Sequence, residues 1–212
     1  MRIVRRFLLV VSLSLGVLPW GAARADGPDA RAWAIGGRGA LQRTSFNAGS
    51  SYKPRYSFAI GGVLVVGGDA LAHGGIQFQG ELVLSDKKVA IEGGEGGTSE
   101  VLRMRYIDIP LLVRLSARTA AARPFLVAGP VVSALIDAHE WIDSPTVHVD
   151  REHKGIESSD FAFQLGAGAE MPLGFVTPTL DFRYAHGFGA ITGGEGTPRR
   201  TRVFALSLGA LF

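Results

Sequence analysis

Between Arg105 and Ser116 the chain reads RYIDIPLLVRLS, an alternation that a helix cannot use. Ile107, Ile109, Leu111, Val113 and Leu115 fall on one side of a period-two strand. Tyr106, Asp108, Pro110, Leu112, Arg114 and Ser116 fall on the other. One face is aliphatic throughout; the other holds an acid, a base and a proline. A soluble sandwich turns such an aliphatic face inward, whereas a membrane barrel turns it outward to lipid. The rest of the chain has to decide between them.

Residues 1–25 read as a secretory signal. Arg2, Arg5 and Arg6 make a basic start, residues 7–18 are apolar, and Ala23-Arg24-Ala25 supplies a small-x-small cleavage site. The apolar run is shorter than the roughly 20 residues a spanning helix needs. Without residues 1–25 the chain keeps 18 basic and 19 acidic residues, so its apparent basicity belongs to the signal and nothing points to nucleic acid. An exported chain without cysteine has neither a disulfide framework nor a lipid-anchored cysteine, so burial or a membrane must hold the fold. Residues 26–212 are expected to form one domain. Mean hydropathy is positive and glycine reaches 29 of 212 residues, yet no later segment is long enough for a membrane helix. That combination suits a barrel meeting lipid on one face.

The alternation recurs along the chain. Strands are expected over 32–42, 57–66, 76–88, 105–116, 124–136, 161–171, a seventh around Leu180 to Phe188, and 201–212. Trp33, Ile35 and Leu41 share a face in the first, opposite Arg38. In the third, Ile76, Phe78, Leu82 and Leu84 alternate with Gln77, Gln79, Glu81 and Ser85. The fifth is apolar on both faces, and its phase stays open. Loops are expected over 43–56, 92–100, 137–160 and 189–200, with shorter links between them. The connections thus alternate long and short, beginning with a long one. Both termini then fall on the short-turn side, as in an outer-membrane barrel. Strands near ten residues match a tilted crossing of roughly 9–11 residues. The expected fold is all-β, an eight-stranded antiparallel up-and-down transmembrane barrel with short periplasmic turns and longer extracellular loops.

The stretches YIDIPLLVRL, PFLVAGP, DFAFQLGAGAE and LDFRYAHGFGAI, in that order, resemble the PorT-like outer-membrane β-barrel family, and IQFQGELVLSDK is similar to its glutamate-bearing third strand. The resemblance covers roughly residues 32–212. It implies a small barrel in the outer membrane of a Gram-negative-type bacterium, without implying one activity; some members serve protein secretion or gliding. The terminal Phe212 looks like the signal read by the barrel-assembly machinery, and an aromatic there also suits the interfacial girdle.

Glu81, Asp108, Arg114, Glu170, Asp181 and Arg183 all fall on the face away from lipid. An eight-stranded barrel is just wide enough to be filled by side chains, so these charges are expected to pair inside it. No Gly-x-Ser-x-Gly places a nucleophile beside them, and no cofactor is expected. The segment 137–160 carries His139, His148, His153, Ser144, Ser158 and Ser159, the kind of residues a lipid-modifying barrel enzyme would need. With Glu140, Asp143, Asp150 and Glu152 its histidines could also ligate a metal, although their spacing matches no strong zinc pattern. The leading expectation is a non-enzymatic, non-conducting barrel with a structural or surface-interaction role. Its partners would be outer-membrane lipid and lipopolysaccharide, the assembly machinery, and a surface or secretion-system component. A narrow pore or hydrophobic-ligand tunnel is the alternative.

Overall fold

The computed structural model describes residues 33–46, 52–67, 75–92, 99–117, 122–144, 147–152, 159–173, 175–189 and 200–212. The signal segment, His73, the glycine-rich 93–98, His153, Ser158 and most of 189–200 lie outside the described residues. Among the described residues nine strands are found: β1 Trp33–Phe46, β2 Tyr52–Val66, β3 Gly75–Glu92, β4 Ser99–Ser116, β5 Arg123–Ser144, β6 Val147–Glu152, β7 Ser159–Glu170, β8 Thr177–Gly187 and β9 Thr201–Leu211. Every pairing is antiparallel. The sheet runs β4-β3-β2-β1-β9-β8-β7-β5-β6, and an additional β4–β5 ladder closes eight of the strands into a barrel.

The aliphatic face of β4 points outward. Leu111 is 56 % exposed, whereas Leu112 and Arg114 beside it are each 2 % exposed. The same sign holds around the ring, with Phe58, Ile60, Phe78, Leu126, Phe182 and Leu208 all on the outer wall. A water-soluble fold would not expose a continuous apolar band of this kind; a lipid-facing barrel must. In β5 the register resolves the open phase. Phe125, Val127, Val131 and Ser133 are buried inside, Leu126 and Ile136 face out, and the β4–β5 ladder shifts between Arg105 and Tyr106. An extra residue in one strand reverses the inward parity beyond it, so Ala138 rather than Asp137 is buried.

The expected loops are shorter than their sequence suggests. β1 continues to Phe46 and β2 starts at Tyr52, with an irregular register between Pro54 and Ala59. The 137–160 segment, expected as a single loop, instead extends β5 to Ser144 and adds β6, which folds back on β5 from His139↔Glu152 to Ser144↔Val147. The barrel therefore carries a ninth strand outside its closed ring. Beyond the lipid a strand needs ladder partners but no aliphatic face, so the pattern that marks a crossing is silent there. Residues 137–143 find their partners in β4, from Asp137↔Arg105 to Asp143↔Ser99.

The chain from Leu84 to Ile107, or from Ile136 to Phe161, makes a long excursion at one end of the barrel. At the other end Val66 to Ile76, Leu115 to Leu126 and Met171 to Leu180 are joined briefly. The first end is the outer one by the rule of short periplasmic turns.

Candidate functional site

Inward-facing side chains fill the barrel. In the half towards the short turns, Val63, Val65 and Leu211 pack together, and Leu112, Phe125 and Val127 form a second apolar cluster. A continuous charged network runs among them, with Glu81 opposite Val63 and Arg114 opposite Val127 in the ladders. Arg114 Nη2 donates to Glu170, Arg114 Nη1 donates to Gln79 Oε1 at 3.2 Å, and Gln79 Nε2 donates to Glu81 Oε1 at 2.5 Å. Glu81 then accepts from two guanidiniums, Arg38 at 2.9 and 3.0 Å and Arg183 at 2.7 Å. Both arginines also reach Asp181 Oδ1, at 3.2 and 2.7 Å, and Arg38 donates to Ser207 as well. The Arg114 guanidinium lies 3.7 Å from the centre of the Phe125 ring. Six barrel strands supply this network, and β5 contributes the ring beneath it.

Three arginines (38, 114 and 183) face three carboxylates (81, 170 and 181), so the layer is electrically neutral. That balance is required in a narrow interior, where an unpaired ion would cost several kcal/mol. Of the residues expected inside, Glu81, Arg114, Glu170, Asp181 and Arg183 meet in this one network. Asp108 does not join it. Its carboxylate accepts from Ser85 Oγ at 2.6 Å and pairs with Lys87 Nζ at 3.5 Å, and that ammonium also stands 4.2 Å over the Tyr106 ring. Between the two groups lies a cavity of about 70 Å³, walled by Arg38, Glu81, Lys87, Asp108, Ser133 and Gln164 among others. A water needs about 10–15 Å³ of such space, so the cavity suits a few waters and no lipid. Met104, Tyr106 and Ala138 close the interior above it.

Arg38 and Lys87 are the interior cations that sequence reasoning left out. The signal was available. The expected interior set had four carboxylates and two arginines, an imbalance that called for two more cations on the same face. Arg38 is the sole charged residue in 32–42 and lies out of phase with Trp33, Ile35 and Leu41.

On β5, His139 Nε2 lies 3.1 Å from Asp137 Oδ1 on the outer wall. Ser159 is exposed at the start of β7, and His148 pairs through its backbone with Asp143. Phe212 is exposed, with its backbone exchanging hydrogen bonds with Ile35. Among the described residues no group of three or more His, Asp or Glu side chains is arranged to hold a metal.

The solved structures this barrel is similar to include the outer membrane protein OprG from Pseudomonas aeruginosa, at 11 % identity and TM-score 0.51, with 86 % of this chain and 97 % of that one covered. Neisserial surface protein A matches at 12 % identity and TM-score 0.49, over 86 % and 97 % of the two chains. The outer membrane enzyme PagL matches at 12 % identity and TM-score 0.41, over 81 % and 97 %. At such identities the likeness concerns the fold alone. No curated protein matches the sequence significantly. The family model for the outer membrane protein beta-barrel domain matches residues 22–193. With its closed eight-stranded ring, lipid-facing apolar wall and charge-filled interior, the chain belongs to the outer membrane protein beta-barrel domain family and so to the bacterial outer membrane.

Proposed function

We propose that this protein is a non-conducting, non-enzymatic outer-membrane barrel. Its role is to present its outer end, the extended β3–β4–β5–β6 wall and the adjoining loops, to lipid and to surface partners. The neutral network joining Glu170, Arg114, Gln79, Glu81, Arg38, Arg183 and Asp181 carries this reading, because it spans the lumen and is packed among buried Leu112, Phe125 and Val127. An ion passing through would have to break several buried pairs at once. A hydrophobic-ligand tunnel has no matching void among the described residues, since the interior cavity, though partly walled by Ala59, Val83 and Val131, is about 70 Å³ and also carries Arg38, Glu81, Lys87 and Asp108. The PorT-like resemblance of YIDIPLLVRL, PFLVAGP and the strand around Glu170 supports placement in that group, with a cleaved signal at residues 1–25 and assembly through the Phe212 strand. Single-channel recording in planar bilayers tests the proposal. The wild-type barrel gives no unitary current, whereas Arg38→Ala combined with Arg183→Ala admits transient openings. Steady unitary currents from wild type would replace this reading by a pore. Alanine at His139, His148 and His153 with a lipid-modification assay tests the enzymatic reading, and loss of an activity seen in wild type would establish it.

A further inference from the structure

On the outer wall, the upper margin of the lipid-facing band differs between the two sides of the barrel. On the β3–β4 side, the outward Arg103 and Arg105 both donate to Asp86, so these two guanidiniums share a carboxylate within the protein. On the β8–β9–β1 side they are not. Arg43 pairs in register with Phe204 on β9 and Tyr56 on β2, and Arg202 pairs with Ser45 on β1 and His186 on β8. Directly paired residues share a face, and Phe204 and Tyr56 are exposed, so Arg43 and Arg202 sit on the outer wall. They are diagonal neighbours, about 7 Å apart at Cβ. Neither makes an ion pair among the described residues, and the Arg202 Nε is buried without a hydrogen-bond partner.

Their height is fixed by what lies around them. Leu41, Leu206 and Phe182 form the rung below, and Tyr184 packs on Phe204 at 4.9 Å between ring centroids. His186 and Phe188 stand edge to face at 5.5 Å, and Phe161 stacks on Phe188 at 6.1 Å. Such an aromatic cluster marks the interface where acyl chains end and headgroups begin. Two guanidiniums with no carboxylate partner among the described residues, at the level of the headgroups, attract anions from outside the protein. Guanidinium matches phosphate in geometry and in charge.

We infer that Arg43 and Arg202, with His186 beside them, form a binding site for the phosphate of a phosphorylated glycolipid in the outer leaflet. Its acyl chains lie down the wall over Phe204, Leu206, Leu208 and Phe58. This rests on the reading that the long end of the barrel faces outward.

The test uses the full barrel refolded in phosphatidylcholine vesicles containing bis-phosphorylated lipid A. After solubilisation, the lipid A retained per barrel is measured. Wild type and Arg103→Gln/Arg105→Gln retain it, whereas Arg43→Gln/Arg202→Gln binds at least tenfold more weakly. Both double variants change only outer-wall residues and are expected to keep the heat-modifiable band. Dephosphorylated lipid A binds wild type no better than it binds the Arg43→Gln/Arg202→Gln form. Equal retention by wild type and that form overturns the inference. So does release from wild type by inorganic phosphate beyond that caused by chloride at equal ionic strength, which would mark a free-anion site. Orientation is read separately from a single Arg103→Cys in this cysteine-free chain, labelled on intact cells with an impermeant maleimide. Labelling with failed lipid retention sinks the lipid site alone, and absence of labelling sinks the orientation and the inference together.

Discussion

Arg183 Nη1 lies 2.7 Å from Glu81 Oε1, joining β8 to β3 across the lumen between residues 102 positions apart, with neither side chain more than 5 % exposed. Glu81 is the hub of the interior, because Arg38, Arg183 and Gln79 all donate to it. Glu81→Ala leaves two buried guanidiniums short of an acceptor and is expected to cost about 3–5 kcal/mol. Urea unfolding of the refolded barrel, followed by the gel shift between folded and boiled forms, measures this. A loss under about 1 kcal/mol would mean that water solvates the arginines and the network is not a plug.

Gly129 is buried on β5, where an added Cβ would stand 2.1 Å from the Leu111 carbonyl oxygen. The obstacle is backbone of the neighbouring strand, which cannot move aside without opening the β4–β5 ladder that closes the ring. Gly80 on β3 has nothing within 4 Å of the same position. Gly129→Val is expected to abolish the heat-modifiable band and Gly80→Ala to preserve it. Equal folding of the two would show that the barrel closes more loosely than this geometry.

Asp86 lies on the outer wall, one rung beyond Leu84 and above the lipid-facing band. Its partial burial alone would raise the carboxyl pKa, but hydrogen bonds and charge from Arg103 and Arg105 outweigh that and hold it below the usual carboxylate range. A carboxylate depressed in the folded state stabilises at pH above its unfolded value, near 3.9, and loses that contribution as pH falls through the folded value. Wild type should therefore lose its advantage over Asp86→Asn as pH drops below about 4. Parallel stability curves for the two proteins from pH 7 to pH 2 would exclude the triad as a source of stability.

Leu206 is 52 % exposed on the outer wall, in the rung between Phe182 and Leu41. Arginine there meets hydrocarbon and is expected to cost about 2–4 kcal/mol, falling towards zero near either interface. Stability in bilayers of Leu206→Arg against the same change at exposed Ser159, beyond the band, gives the depth profile. A negligible cost at Leu206 would move the band away from this rung.

The alternation at Ile107–Leu115, and its repeats through β3, β7, β8 and β9, determined the barrel class and which side chains face inward. A closed ring in lipid leaves a strand only two environments, and period two reports both. The same parity put Glu81, Arg114, Glu170, Asp181 and Arg183 inside. It could not say which charges meet, because neighbours across a lumen are set by register and shear, and these accumulate over strands far apart in sequence. Hence Arg38 joined Glu81, while Asp108 went to Lys87 and Ser85. Residues 137–144 and 147–152 were illegible for another reason: above the lipid, hydrogen bonds to β4 and β5 hold the chain extended, and backbone hydrogen bonds leave no side-chain pattern. The phase of β5, apolar on both faces, was likewise decided by its partners, β4 and β7, and by the bulge that reverses its parity near Ile136.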